Sequence, residues 1–198
     1  MTSSVQIFTE GSKNEKGVGA GIVIFESGHN TKSLKCWLKR RCTNNLPEQL
    51  AIFRAFKYTE NIQTEDMTAT IYTDNQITLD SLQNGNIHIR LIEEMRRKLT
   101  EMRKTNWKIK LRLVKAHVGI RRNELADTLA KHAATNKDIT ETYKKVPKRV
   151  ALSELEGINI EKWQREWEQS TKGRTTKEYY VIRTRVVFWG VKMAGAYG

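Results

Sequence analysis

A chain of 198 residues, 38% hydrophobic and 29% charged, is long enough for one well-packed domain with an appendage. No apolar run approaches the roughly 20 residues that cross a bilayer, so no membrane partner is expected, and two cysteines, Cys36 and Cys42, make neither a disulfide framework nor a zinc site. The net charge of +13, with a pI near 9.8, selects polyanionic partners, nucleic acid foremost.

Residues 5–8 are apolar and β-branched, and Gly11-Ser12 behind them reads as a turn, which predicts a first strand ending there. Such a start is no basic-then-apolar leader, so an intracellular protein of cytoplasm or nucleus, not secreted and with reduced thiols, is expected. Residues 18–25 predict a second strand, and the glycines around its start imply close approach by another backbone. Leu34, Cys36 and Leu38 alternate loosely and predict a third strand over 33–39. With only short links, these three form an antiparallel meander.

Asn44 and Asn45 then offer helix caps, and Pro47 occupies a first turn, where its missing N–H costs nothing. Leu50, Ala51, Phe53, Ala55 and Tyr58 recur at helical spacing to about residue 61. A fourth strand is predicted over 69–73 and a helix over 76–82, broken by Asn84-Gly85-Asn86. A longer helix over 87–104 carries Leu91, Met95, Leu99 and Met102 on one face. Ile109, Leu111 and Leu113 alternate in a fifth strand over 107–114, and a glycine-containing loop leads into a helix over 123–134.

The order β-β-β-α-β-α-α-β-α makes the helix-linked strands parallel through right-handed crossovers. The expected fold class is therefore α/β: a mixed five-stranded sheet, strands 1–3 antiparallel and strands 1, 4 and 5 parallel, flanked by helices. Residues 1–135 make up that domain. Residues 136–149 read as a polar linker, 161–170 as a short helix with Trp163 and Trp167, and 179–189 as β-prone. Together 136–198 are expected to be an appendage rather than an independent domain.

Four carboxylates stand at element ends in this topology. The first and fourth strands are neighbours, so their C-terminal ends bring Glu10 beside Asp74. Glu48, in the first turn of the helix after strand three, reaches the same point, and Asp127, early in the last helix, approaches from the other side. Anionic groups gathered this way repel one another unless cations neutralise them. Magnesium suits an all-oxygen cage. Two such ions about 3.5–4 Å apart activate a water and stabilise the leaving oxygen of a phosphodiester. Two Mg2+ ions are the expected cofactor, with Mn2+ as the alternative.

The motifs around these residues resemble those of type 1 ribonuclease H, over about residues 3–135. Thr9-Glu10-Gly11-Ser12 is similar to the family's Thr-Asp-Gly-Ser, Glu48 to its helix-opening glutamate, and Thr73-Asp74-Asn75-Gln76 to its Thr-Asp-x-Gln. His117-Val118-Gly119, then Asn123-Glu124-Leu125-Ala126-Asp127, resembles its closing His-x-Gly and Asn-Glu-x-Ala-Asp. The resemblance implies a ribonuclease H-like fold and endonucleolytic cleavage of the RNA strand of RNA–DNA hybrids, leaving 3′-hydroxyl and 5′-phosphate ends. It implies Glu10, Glu48, Asp74, His117 and Asp127 as the catalytic set, the four carboxylates as metal ligands, and His117 as an aid to proton transfer or product release. Gly11, Ser12, Asn75, Gln76 and Asn123 would bind substrate, Asn123 also capping its helix. The local wording is most similar to the ribonuclease H domain of non-LTR (LINE-type) retrotransposon polyproteins, which Trp163-Gln164-Arg165-Glu166-Trp167 and Gly173-Arg174 also resemble. A reverse transcriptase is the partner that context implies; with no such segment ahead of it, a detached fragment or domesticated copy is expected.

Glu10 departs from the family's aspartate. The extra methylene moves the carboxylate by roughly a bond length, and magnesium tolerates poor octahedral geometry badly. The rival reading is thus a catalytically impaired module that binds hybrids or other nucleic acid. A superfamily relative acting on DNA is a third, against which the closing motifs argue. Plainer readings stand beside the sharp ones: Glu48 as a helix N-terminal charge, Asp127 and Lys131 as an i,i+4 ion pair, Asp74-Asn75 as a helix cap. Arg96, Arg97, Lys98, Arg103 and Lys104 are a solvated face or a grip on DNA phosphates.

Overall fold

The computed structural model describes residues 5–114, 121–136, 139, 141–143, 145–146 and 148–170. Contacts divide the chain into two units, 1–147 and 148–198. In the first, β1 (Val5–Lys13), β2 (Val18–Glu26) and β3 (His29–Leu38) are followed by α1 (Leu46–Thr59), β4 (Thr68–Thr73), α2 (Gln76–Gln83), α3 (Arg90–Lys104), β5 (Lys108–Leu113), α4 (Arg121–Thr135) and β6 (Glu141–Tyr143). The sheet order is β5-β4-β1-β2-β3-β6. β1 is antiparallel to β2 and β2 to β3, whereas β4 runs parallel to both β1 and β5. The mixed five-stranded sheet expected from the sequence is therefore present, with β6 added on the outer edge of β3.

Both faces of the sheet are covered, and the alternation along β2 sorts its side chains between them. Val18, Ala20, Ile22 and Ile24 join the main core, where Leu50, Phe56, Leu91, Ile92 and Met95 from α1 and α3 are fully buried. The odd-numbered positions face α4. A Cβ on Gly17, Gly19 or Gly21 would fall 2.1–2.3 Å from the carbonyl oxygen of Ala134, Ala130 or Ala126. With Ala126, Ala130, Ala133 and Ala134 all buried, the α4 backbone lies directly on the β2 backbone. This is the close approach that the glycines implied. Beyond Gly21, Val23, Phe8 and Phe25 pack with Ala126, and the Phe8 ring stacks on Tyr72 with centroids 4.6 Å apart.

Several boundaries differ from expectation, each for a local reason. β1 does not stop at Gly11-Ser12. Pairing with β2 continues through Glu10↔Gly21, Gly11↔Ala20, Ser12↔Gly19 and Lys13↔Val18, although pairing with β4 ends at Phe8↔Tyr72. β3 starts earlier, at His29, because Ser27 (φ 49°) and Gly28 (φ 85°) reverse the chain in two residues and pair Glu26 with His29. α3 starts later, at Arg90. The preceding loop is held out of the helix by the Arg96 guanidinium, which donates to the carbonyls of Ser81, Leu82 (3.2 Å), Asn84 (2.5 Å) and Ile87 (2.9 Å).

Inside the stretch read as a linker, β6 pairs in parallel with β3 at Trp37 and Leu38. Tyr143 packs on the main core, and Lys145 Nζ reaches Glu94 at 3.1 Å. In the second unit, α5 (Lys148–Gln169) is a 22-residue helix, longer than the 161–170 expected. Trp163 and Trp167 stack on each other along it, centroids 5.4 Å apart. The β-prone residues 179–189 lie outside the described residues. Among the described residues, no helix is long and apolar enough to cross a membrane.

Candidate active site

The site forms where β1 and β4 part company. Thr9 Oγ1 donates to the Tyr72 carbonyl at 3.1 Å, the last tie between the strands before β4 ends at Thr73. The chain then turns through Asp74-Asn75 into α2. Asn75 fixes that turn: its Oδ1 accepts from the Thr78 amide at 2.8 Å, capping α2, and its own N–H donates to Thr73 Oγ1 at 3.2 Å. Glu10 continues β1 one step beyond the parting and so lies alongside Asp74.

Glu48 arrives from the first turn of α1, where its carboxylate accepts a hydrogen bond from the Gly11 amide. One carboxylate oxygen from each of Glu10, Glu48 and Asp74 lies within 4.8 Å of the other two. Asp127 does not join this trio. Its Oδ2 pairs with Lys131 Nζ at 2.5 Å across one turn of α4, the plainer of the two arrangements foreseen.

Burial and mutual repulsion set the electrostatics. Burial, then the Asp74 charge, pushes Glu10 up to about 7, against a hydrogen bond from Asn123 that favours the ionised form. Burial, then the charges of Glu10 and Asp74, pushes Glu48 up to about 8, against the Gly11 amide. Asp127 adds to both shifts, so it stands within electrostatic reach of the trio. Glu48 Oε2 is buried with no hydrogen-bond partner among the described residues. An oxygen-only donor set, crowded negative charge and an unsatisfied buried carboxylate oxygen together fit a hard divalent cation.

Asn123 is the residue whose role sequence reasoning missed. It was expected to cap its helix, but α4 begins two residues earlier, at Arg121, and Asn123 points inward. Its Nδ2 donates to Glu10 Oε1 at 2.6 Å, while its Oδ1 is buried without a partner among the described residues. The readable signal was its spacing four residues before Asp127, which puts both on one face of the helix.

Of the other expected substrate contacts, Ser12 is half-buried on β1, and Gln76 is exposed with its Nε2 donating to Asp80 Oδ1 at 2.5 Å. His117 lies outside the described residues. Three of the basic residues on α3 are engaged within the fold: Arg96 with the four carbonyls, Lys98 with Glu60 (2.5 Å) and Glu101 (3.4 Å), and Arg97 with Glu101 (3.8 Å).

The RNase H family model matches residues 2–135, the greater part of the chain. The chain belongs to the RNase H family. That membership makes it a ribonuclease H by enzyme class, in a family that generally uses divalent metals. The chain is similar to ribonuclease H of Haemophilus influenzae (strain 86-028NP), with 29% identity over 158 residues, covering 69% of this chain and 93% of that protein. Ribonuclease HI of Haemophilus influenzae Rd is 28% identical over the same span, which agrees with the type 1 motifs. Among solved structures, RNase H1 of the archaeon Halobacterium salinarum NRC-1 shares the fold with a TM-score of 0.52 and 19% identity, covering 66% of this chain and 96% of that one. LC11-RNase H1, from a compost metagenome and crystallised with an RNA/DNA hybrid, has a TM-score of 0.50 and 18% identity, covering 65% and 98%.

Proposed function

We propose that this RNase H hydrolyses the RNA strand of RNA–DNA hybrids endonucleolytically, leaving 3′-hydroxyl and 5′-phosphate ends. Two magnesium ions, with manganese as the alternative, would be held by Glu10, Glu48, Asp74 and Asp127. The observation that carries this reading is the approach of three carboxylate oxygens to within 4.8 Å, on elements that β1, β4 and α1 bring together. When bound, such ions activate the attacking water and stabilise the leaving oxygen.

The chain's own groups do the rest. Glu10, Glu48 and Asp74 supply ligand oxygens, and the Gly11 amide orients Glu48. Asp127 joins by turning from Lys131, whose side chain is 60% exposed and loses little on release. His117 carries a proton during the step or eases product departure. Gly11, Ser12, Asn75, Gln76 and Asn123 border the substrate path. A net charge of +13 supports a polyanionic substrate. The hybrid bound to LC11-RNase H1 supports this substrate class, whose RNA strand is told from DNA by its 2′-hydroxyls.

The motif wording supports a retroelement origin of the LINE type, with a reverse transcriptase as partner and an intracellular site of action. Residues 1–135 then form the ribonuclease H domain, and 136–198 an appendage whose first strand extends the sheet. The deciding experiment incubates the protein with labelled hybrid and magnesium, beside Glu10→Asp and Asp74→Asn. The native chain should cut and Asp74→Asn should not. Cutting by Glu10→Asp alone would instead make the native chain a hybrid-binding module.

A further inference from the structure

Glutamate at position 10 has one side-chain torsion more than aspartate, so its carboxylate needs an additional restraint to hold one place. Both that carboxylate and the Asn123 amide are buried, at 6% and 7% exposure, and Asn123 Nδ2 meets Glu10 Oε1 at 2.6 Å. A hydrogen bond to an ionised acceptor at that distance is of the stronger kind. The donor is itself well anchored. α4 rests backbone to backbone on β2, with the Ala126 carbonyl against Gly21, and Gly21 is the register partner of Glu10. Asn123 is one turn from that contact. Among the described residues its Oδ1 has no partner, and the bond to Glu10 fixes which way the amide faces.

We propose that Asn123 is the positioning residue for Glu10: its amide fixes the longer side chain, so that glutamate presents a carboxylate where the family's aspartate would. This deepens, and rests on, the reading of the trio as a cation site. An aspartate, shorter by about 1.5 Å, would leave the Asn123 amide out of hydrogen-bond range, so the pairing is particular to a glutamate at this position.

The test is a double-mutant cycle on the full chain with Asn123→Ala, Glu10→Asp and the pair. It is read by calorimetric titration with Mg2+ and by thermal unfolding in EDTA. Asn123→Ala should weaken Mg2+ binding about tenfold in the native background but less than about twofold beside Glu10→Asp. In EDTA it should lower Tm by ~3 °C more in the native background than beside Glu10→Asp. A purely structural asparagine would cost the same in either background, and equal losses in EDTA would overturn the proposal. Failure of the native chain to titrate Mg2+ would sink the cation site, while the EDTA cycle would still decide whether Asn123 holds Glu10.

Discussion

Gly11 and Glu48 touch across the gap between β1 and α1: a Cβ on Gly11 would stand 2.6 Å from the Glu48 backbone nitrogen and 2.9 Å from its side-chain Cδ. Neither atom can yield cheaply, because one is helix backbone and the other belongs to a carboxylate held by the Gly11 amide. Gly11→Ala should therefore cost about 1–3 kcal/mol of stability and turn Glu48 away from Glu10 and Asp74. Urea unfolding and hybrid cleavage measure the two effects; a stable, fully active variant would contradict the contact.

Neutralising one member of the trio should separate stability from activity. Burial and the charges of Glu10 and Asp74 keep Glu48 protonated in the fold at neutral pH, a proton uptake that Glu48→Gln no longer needs, so the metal-free protein should melt at a higher temperature than the native chain. Cleavage of labelled hybrid should fall on the order of 100-fold. A lower Tm in EDTA would show that this proton uptake is not a significant cost to the fold.

The pH dependence has a definite sign. Glu10 titrates near 7 and Glu48 near 8 in the folded protein, both above the ordinary carboxylate value of 4.5. Between those limits the folded state keeps protons that the unfolded chain has shed, so the stability they confer is complete below 4.5 and lost as pH rises through 7 to 8. In EDTA, Tm should fall over that interval. Added magnesium should restore it more at alkaline than at acidic pH, because the ion competes with those protons. Scanning calorimetry across the range checks both, and a flat metal-free profile would rule out the buried carboxylates as its source.

Arg96 distinguishes a structural cation from a nucleic-acid contact. Its guanidinium is engaged with the carbonyls of Ser81, Leu82, Asn84 and Ile87. Arg96→Ala should cost about 2 kcal/mol while leaving the salt dependence of hybrid binding unchanged. A shallower salt slope would mean that Arg96 contacts phosphate after all.

Ending the chain after Thr135 would remove β6 and the Lys145–Glu94 pair and expose the backbone edge of β3. Such a truncation should melt lower than one ending after Pro147 and should self-associate, as uncovered strand edges do. Sedimentation velocity of the two would reveal it.

Most of the fold was legible because its signals are local. Alternation in β5, the helical spacing in α1 and the glycines of β2 each reported their surroundings directly. What was not legible depended on partners distant in sequence. Gly11 looked like a turn because its neighbour β2 is invisible in a strand read alone. β6 is three residues with no strand pattern of their own, extended by the waiting edge of β3 and the packing of Tyr143 on the core. At the site, Glu10, Glu48 and Asp74 were foreseeable because Glu10 lies just past the last β1–β4 pair, Asp74 just past β4 and Glu48 in the first turn of α1, and sheet order brings those places together. The Asn123–Glu10 hydrogen bond was not, since it joins residues 113 positions apart through the approach of α4 to β2. Asp127 was foreseen beside the trio, yet its nearest cation is Lys131, one helical turn away.

Where α4 meets β2, glycine and alanine leave no rotamers between two main chains. The spacing from strand to helix is thereby a covalent-scale quantity, insensitive to side-chain motion and closed to gradual adjustment. The backbones of Asn123 and Asp127 inherit that stiffness, so any drift in their main-chain distance from Glu10 requires the whole helix to lift, and only side-chain torsions remain to adjust.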